Sequence, residues 1–274
     1  QNYTTIPSPY SQTLFEASPL NRVLEQGAPG DIWQPAASRT NLAGRTVVMG
    51  YGTNAAEVKL WTVTANGATS GTYAAGKLYK TTTKNENWVE GNLKGGTIDE
   101  YKDFEDHVVL KRIWETDTKS LSTYYVYDDL GNLRYVLPPA VNENGQSPIS
   151  SFTESDAVFK SFIYGYHYDG RKRLIEKKIP GKEWERMVYN KLDQVVLSQD
   201  SLLSKNKQWV YSKYDAFGRV VSSGIYTNTT TLSRAALQSL VDGQTVLWES
   251  RSGADYTNVA FPQNGTESQL INYY

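Results

Sequence analysis

The sequence predicts an all-β fold: an open, twisted strip of successive antiparallel β-hairpins, with one or two short helices. Its 274 residues include 20 Tyr and 7 Trp, side chains that favour the half-buried surface of a strand. Clusters of Gly, Asn, Asp and Ser separate most of the strand-like runs, and these residues supply turns. Short aromatic runs between frequent turns are typical of hairpins.

The predicted elements follow one another along the chain. The first forty residues, rich in Pro, form an extended lead-in with little room for a helix. Hydrophobic residues at helical spacing predict short helices at Thr153–Ile163 and Ser233–Val241, which patch a sheet edge or bind a partner. The predicted strands are Thr46–Tyr51, Glu57–Thr64, Lys77–Thr83, Val108–Trp114, Thr123–Tyr127, Leu133–Leu137, Leu174–Ile179, Arg186–Tyr189, Val195–Ser198, Trp209–Tyr214 and Val220–Tyr226.

Composition excludes several function classes. Lys and Arg total 28 and Asp and Glu total 29, so the net charge of −1 gives no electrostatic reason to expect nucleic acid or an anionic membrane as a partner. Cysteine is absent, which excludes disulfides, thiolate nucleophiles and Cys-based zinc sites. We find no signal peptide and no apolar stretch long enough to span a membrane.

A short unit recurs through the middle of the chain. It consists of an aromatic strand end, an Asp or Asn, two variable residues, a turn-closing residue and a new strand, most clearly at Tyr127–Leu133 and Tyr214–Val220. Counted from the Asp or Asn, the first turn residue accepts hydrogen bonds from backbone N–H groups, and the fourth, the turn-closing residue, takes a positive φ. A lysine at position 172 is a poor fourth residue. The predicted turn residues are Asp103, Asp106, Asp128, Gly131, Asp169, Asn190, Asp193, Asp215 and Gly218.

On these units the sequence resembles the YD-repeat, or Rhs, family, named for this Tyr-Asp element. Further likeness lies in Ser11–Trp33, Val108–Arg112, Lys178–Gly181 and Tyr256–Pro262. The resemblance implies a fragment of a much longer protein, secreted or displayed at the surface of a Gram-negative bacterium. In related toxins the repeats form a shell around a variable C-terminal cargo, cleaved by a self-processing core, and neither core nor cargo is found here.

The resemblance and the repeats together suggest three regions. Residues 1–98 form a family-specific lead-in of β structure, residues 99–226 hold degenerate repeat hairpins, and residues 227–274 form a short helix and a terminal β segment that leads into further repeats. The expected partners are the rest of the same longer chain and, as alternatives, surface glycans or an enclosed cargo.

No residue set predicts catalysis, a cofactor or a metal site. His107 and His167 fit strand positions, and no third ligand converges on His167 and Asp169. Carboxylates are dense between Asp99 and Asp106 and again at Glu183 and Glu185, but they follow neither calcium-loop spacing nor the facing pair of a glycosidase. Solvated loops and turn caps explain them better.

The tyrosines leave two interpretations open. Tyr164, Tyr166 and Tyr168 alternate, so they share one face of a strand. They form either a cross-strand ladder that holds hairpins together or a stacking platform for sugar rings. The leading hypothesis is therefore a non-catalytic scaffold segment, the alternative is a carbohydrate-binding or adhesive module, and a carboxylate-dependent glycan hydrolase comes third.

Overall fold

A computed structural model describes residues 7–142, 148–227, 232–263 and 267–272. The chain divides into two compact bodies, Gln1–Ile163 and Tyr164–Tyr274, called here the first and the second body. Each body holds an open antiparallel sheet. The sequence-based boundaries at residues 98 and 226 stay a prediction, because the bodies reflect compactness and not sequence character.

The first body contains a main antiparallel sheet and a smaller sheet of three strands. The main sheet has the order β1-β2-β3-β6-β7-β8-β9-β10, and the small sheet has the order β11-β5-β4. A helix, α1, spans Ala157–Phe162. The strands are β1 Gln12–Phe15, β2 Val23–Gly27, β3 Val47–Thr53, β4 Lys59–Thr64, β5 Gly67–Thr72, β6 Tyr79–Lys84, β7 Thr97–Lys102, β8 Val108–Trp114, β9 Ser120–Tyr127, β10 Leu133–Leu137 and β11 Ser151–Thr153.

Aromatic rings build much of the core of the first body. Tyr135 meets Phe152 edge-on at 5.0 Å and Phe159 at 6.0 Å between ring centroids, so strand β10, strand β11 and helix α1 share one cluster. Trp61 of β4 joins it, 5.9 Å from Phe152. Rings in edge-to-face contact add to the stabilisation that comes from burial alone. The small sheet is thus anchored to the main sheet by packing.

The second body continues the same design. Its sheet has the order β12-β13-β14-β15-β16-β17-β20, beside a two-stranded hairpin of β18 and β19. Val188, Leu197 and Trp209 from the sheet bury against Leu237 and Val241 of the third helix. The elements are β12 Tyr164–Tyr168, β13 Leu174–Lys178, β14 Glu185–Tyr189, β15 Val195–Gln199, α2 Ser201–Lys205, β16 Gln208–Tyr214, β17 Val220–Thr227, α3 Arg234–Asp242, β18 Arg251–Ser252, β19 Asp255–Tyr256 and β20 Glu267–Asn272.

The predicted fold class, all-β with an open strip of antiparallel hairpins and a few short helices, is confirmed. Val108–Trp114 and Leu133–Leu137 have the bounds that the sequence predicts. The prediction missed strands β1 and β2 in the proline-rich lead-in, where prolines flank the strands and do not interrupt them. It also missed α2, whose signal is Asp200: the carboxylate accepts hydrogen bonds from two N–H groups of the first turn.

Candidate functional site

The five repeat units adopt one and the same turn. In the unit at Asp128, the N–H of Asp128 donates to the C=O of Asn132 at 3.0 Å, and the N–H of Gly131 donates to the C=O of Asp128 at 2.9 Å. Oδ1 of Asp128 accepts from the N–H groups of Leu130 and Asn132 at 3.0 and 2.9 Å. The same four bonds occur in the units that begin at Asp103, Asp169, Asn190 and Asp215.

The fourth residue of each turn has a positive φ. Gly131 and Gly218 have φ of 76° and 79°, a region that glycine enters without steric cost. Asp106 and Asp193 occupy the same region, at 66° and 62°, and Asp tolerates it better than most residues. Lys172, the residue that fits the pattern least, also adopts it, at 61°. The surrounding hydrogen bonds therefore impose this turn on an unfavourable residue.

The fifth residue closes the turn through its side chain, which the sequence pattern did not reveal. Arg173 and Arg219 each place Nε 2.7 Å from Oδ2 of the turn aspartate, and Asn132 donates to Asp128 Oδ2 at 3.1 Å. His107 Nδ1 lies 3.2 Å from Asp103 Oδ2. These residue types share no obvious property in sequence, yet each places a side-chain nitrogen beside the same oxygen.

The unit at Asn190 keeps this closure with the polarity reversed. Oδ1 of Asn190 accepts the two backbone N–H groups, so its amide nitrogen faces the fifth residue. That fifth residue is Gln194, whose Oε1 accepts from Asn190 Nδ2 at 2.7 Å. The change from Asp to Asn is matched by a partner that accepts instead of donating.

The tyrosine before three of the turns reaches the preceding unit. The hydroxyl of Tyr189 donates to the C=O of Leu174 at 2.7 Å, and that of Tyr214 donates to the C=O of Val195 at 2.8 Å. In both cases the acceptor is the first strand residue after the previous turn. Tyr127 and Val108 form the same contact in the first body, at 3.3 Å. The Tyr-Asp pair thus combines a turn cap with a link to the previous hairpin.

The fifth residue adds a second link in the forward direction. The guanidinium of Arg173 lies over the ring of Tyr189 at 4.8 Å and donates to Asp193 Oδ1 at 2.9 Å. His107 stacks on Tyr127, with 4.5 Å between ring centroids. The turns at Asp103 and Asp169 therefore hold the next turn through their fifth side chain and are held by its tyrosine. We call this set of contacts the turn ladder.

The turn carboxylates of Asp128 and Asp169 are held in the charged form. For Asp128 and Asp169, burial acts to raise the pKa, but hydrogen bonds from the backbone and from the fifth residue outweigh it, so the pKa lies below the ordinary value. A general acid at neutral pH needs the opposite shift. These groups are suited to capping turns and not to proton donation.

The turns of each body lie along one edge of its sheet. In the first body they join β7 to β8 and β9 to β10, and in the second body they join β12 to β13, β14 to β15 and β16 to β17. Because consecutive antiparallel strands alternate in direction, every second connection falls on the same edge. The turn ladder is therefore continuous within each body.

The tyrosines proposed for sugar stacking lie on β12. Tyr164, Tyr166 and Tyr168 are each half-buried, and Gly165 between the first two is buried. Burial raises the pKa of Tyr166. Part of each ring thus contributes to packing while part remains accessible, and neither interpretation of these tyrosines is excluded.

The other ionisable candidates have structural partners. His167 Nδ1 lies 2.9 Å from Glu176 Oε2 and its ring stacks on Trp184. Asp99 is buried and accepts hydrogen bonds from Thr82 and from Trp114, at 2.5 and 2.8 Å. Within the described ranges, no group of three or more His, Cys, Asp and Glu side chains could hold a metal ion. No helix in the described part of the chain is long and apolar enough to cross a membrane.

One family model matches the first part of the chain. Residues 1–46 match a domain of unknown function, DUF6443. That segment contains β1 and β2 and precedes every repeat turn, so the resemblance to the YD-repeat family stays a prediction. A search of curated proteins finds no match.

Two similar solved structures are the crystal structure of TcdB2-TccC3-TEV and that of TcdB2-TccC3 without its hypervariable C-terminal region. Their TM-scores are 0.43 and 0.44, each at 12% identity, over 85% and 84% of this chain. The chain spans 12% of the length of either structure. These similarities assign no activity to the chain.

Proposed function

We propose that the chain is a non-catalytic scaffold segment of a longer, exported YD-repeat protein. The observation that carries this proposal is the turn ladder, in which tyrosines and fifth residues bond neighbouring hairpins to one another. Such a design resembles other repeat proteins, whose stability is a sum of unit and nearest-neighbour terms. It allows a strip to be extended by adding units, without any new type of contact.

The site chemistry agrees with a scaffold. In the clearest repeat turns, the carboxylate oxygens of Asp128 and Asp215 accept hydrogen bonds from backbone N–H groups and from the fifth residue of the turn. Their lowered pKa does not suit the general acid of a glycan hydrolase. Export, display at a Gram-negative surface and an enclosed cargo belong to the proposal through the sequence resemblance alone.

A double-mutant cycle across neighbouring turns tests the proposal. Arg173→Gln and Asp193→Asn each remove one end of the link between the turns at Asp169 and Asn190. A contact in one network couples two sites by about 0.5–3 kcal/mol in the free energy of unfolding, and we expect a coupling in that range. The exposed pair Lys177 and Glu185 serves as a control, with about 0.2–1 kcal/mol expected for a surface ion pair. A coupling of zero between Arg173 and Asp193 would remove the basis for the scaffold.

The half-exposed tyrosines of β12 support a carbohydrate-binding module as the second candidate. An array of bacterial and host glycans discriminates between the two, because a scaffold segment is expected to bind none of them. A retained glycan that is lost on Tyr164→Ala, but kept on Tyr10→Ala, would favour the carbohydrate-binding candidate. Tyr10 is a suitable control because 59% of it is exposed, in the other body.

A further inference from the structure

The outer edge of strand β4 lines a cavity of the first body. This cavity has a volume of about 570 Å³, and the consecutive residues 59–63 of β4 all contribute to its wall. Opposite them lie side chains of the repeat turns at Asp103 and Asp128. Side chains of a strand alternate between two faces, so five consecutive residues border one cavity only when the strand presents its backbone edge to it. We call this cavity the β4 groove.

The hydrogen-bonding direction of β4 follows from its hairpin with β5. Thr64 and Gly67 flank a two-residue turn and are paired, so they exchange backbone hydrogen bonds. Bonded and non-bonded pairs alternate along an antiparallel ladder. Leu60 and Thr62 therefore bond to β5, whereas the N–H and C=O groups of Trp61 and Val63 point to the groove.

Two contacts agree with this assignment. The N–H of Lys59, on the groove side by the same alternation, lies 3.4 Å from the hydroxyl of Tyr124. The N–H of Ser70, opposite Trp61, donates away from β4 to the C=O of Ser150 at 2.7 Å. Over the described ranges, no protein group bonds to the backbone of Trp61 or Val63 on the groove side. Unpaired groups of this kind form a template for another strand.

The walls of the groove indicate what kind of strand fits. Tyr125 and Tyr127 supply half-buried rings, and the exposed carboxylates of Glu105 and Asp129 lie near the mouth. In total the lining holds four carboxylates against two lysines, and Lys59 already donates to the C=O of Ile149 at 2.6 Å. The charge of the lining therefore favours a basic segment.

We propose that the β4 groove binds an extended, lysine- or arginine-containing peptide segment, which adds a strand to the outer edge of β4. Backbone hydrogen bonds to Trp61 and Val63 give affinity, and the carboxylates at the mouth select basic side chains. The five residues 59–63 span about 16 Å, so a segment of about five to seven residues fills the edge. This binding activity goes beyond the scaffold role.

Fluorescence anisotropy with a labelled heptapeptide of alternating Lys and Val tests the proposal on the full chain. We expect saturable binding that weakens as salt is added, and no binding of the Glu–Val counterpart or of a peptide N-methylated at every amide. The N-methylated peptide keeps the charges but lacks the N–H donors, so it tests strand addition without altering the protein. Equal binding of the N-methylated peptide, or no binding of the Lys–Val peptide at millimolar concentration, would overturn the proposal.

Two protein variants locate the binding. Val63→Pro removes an N–H group that β5 does not use, and it should weaken binding about tenfold, the effect of one lost hydrogen bond. Glu105→Gln with Asp129→Asn should weaken it about threefold and flatten the salt dependence, whereas Glu183→Gln, a matched change in the other body, should not. Circular dichroism checks that Val63→Pro is folded. Displacement of the peptide by cellohexaose would instead identify the groove as a sugar site and contradict the proposal.

Discussion

The two edges of the sheet in the second body are built in different ways. On one edge, the turns at Asp169, Asn190 and Asp215 have the same length and the same hydrogen bonds. On the opposite edge, residues 179–184 form a loop in which the N–H of Lys182 donates to the C=O of Ile179 at 3.1 Å, while residues 200–207 contain helix α2. The same strands therefore carry a uniform edge and a variable one.

The contacts at each edge explain the difference. On the turn ladder, Arg173 and Tyr189 reach into the neighbouring unit, so a turn of another length would break contacts outside itself. The connections on the opposite edge are closed locally. Asp200 caps α2, and in the first body Glu115 pairs with Lys119 across its own loop at 2.6 Å. Because these connections are closed locally, their length can vary without breaking contacts elsewhere. The repeat period is therefore maintained by the turn ladder edge only.

The turn at Asp215 departs from its neighbours, and this gives the largest expected effect. A C-terminal segment covers it: the N–H of Glu249 donates to the C=O of Tyr214 at 2.7 Å. The carboxylate of Glu249 is buried, accepts hydrogen bonds from the N–H groups of Val259 and Ala260, both at 2.9 Å, and lies 3.9 Å from the ammonium of Lys213.

Glu249→Ala should therefore lower the free energy of unfolding of the second body by about 3–5 kcal/mol, because it removes the carboxylate beside a buried cation and leaves two N–H groups without their acceptor. Urea denaturation measures this, and hydrogen exchange should show the loss of protection around residues 213–215 and 257–260. Glu183→Ala, at an exposed position, is the control. A loss of less than about 1 kcal/mol, the worth of a surface pair, would show that the cover does not stabilise the turn.

The fourth turn position gives a smaller effect of predictable sign. Gly218→Ala places a Cβ at φ 79° and 3.3 Å from Gln194 Nε2, so we expect a loss of about 1–2 kcal/mol. Lys172→Gly relieves the same conformation, offset by the greater freedom of glycine in the unfolded chain, and should gain about 0.5 kcal/mol. Thermal unfolding of both variants measures the contrast. If both destabilise equally, the turn at Asp169 does not need a positive φ.

The sequence predicted one edge well and the other poorly, for a physical reason. Asp and Gly at fixed spacing report the backbone conformation of a turn, so the turns at Asp128 and Asp215 were recognisable. The role of Arg173 or Gln194 depends on which oxygen the turn leaves open, and no residue type reports that. The open edge of β4 was also hidden, because whether a strand is paired on both sides depends on the order of strands in the sheet.

Acid stability gives the finest distinction between turns. Because the folded pKa of Asp128 lies below its unfolded value, its stabilising contribution is present above about pH 4, the unfolded pKa, and is lost as pH falls through the folded pKa. Asp128→Asn removes this titration. If the amide of Asn132 rotates, its oxygen can accept from the new amide nitrogen at position 128, in the same way that Gln194 accepts from Asn190.

We therefore expect Asp128→Asn to cost less than about 1 kcal/mol at pH 7, the net worth of one hydrogen bond, and to make unfolding less dependent on pH below 4. Asp169→Asn is the matched comparison, because Arg173 offers only donors to the new amide nitrogen. It should cost more at pH 7 than Asp128→Asn does. Urea midpoints between pH 2.5 and 7 provide the measurement. Equal costs for the two variants would mean that the partner in the fifth position does not decide between Asp and Asn, and that the pairing of Asn190 with Gln194 reflects chance.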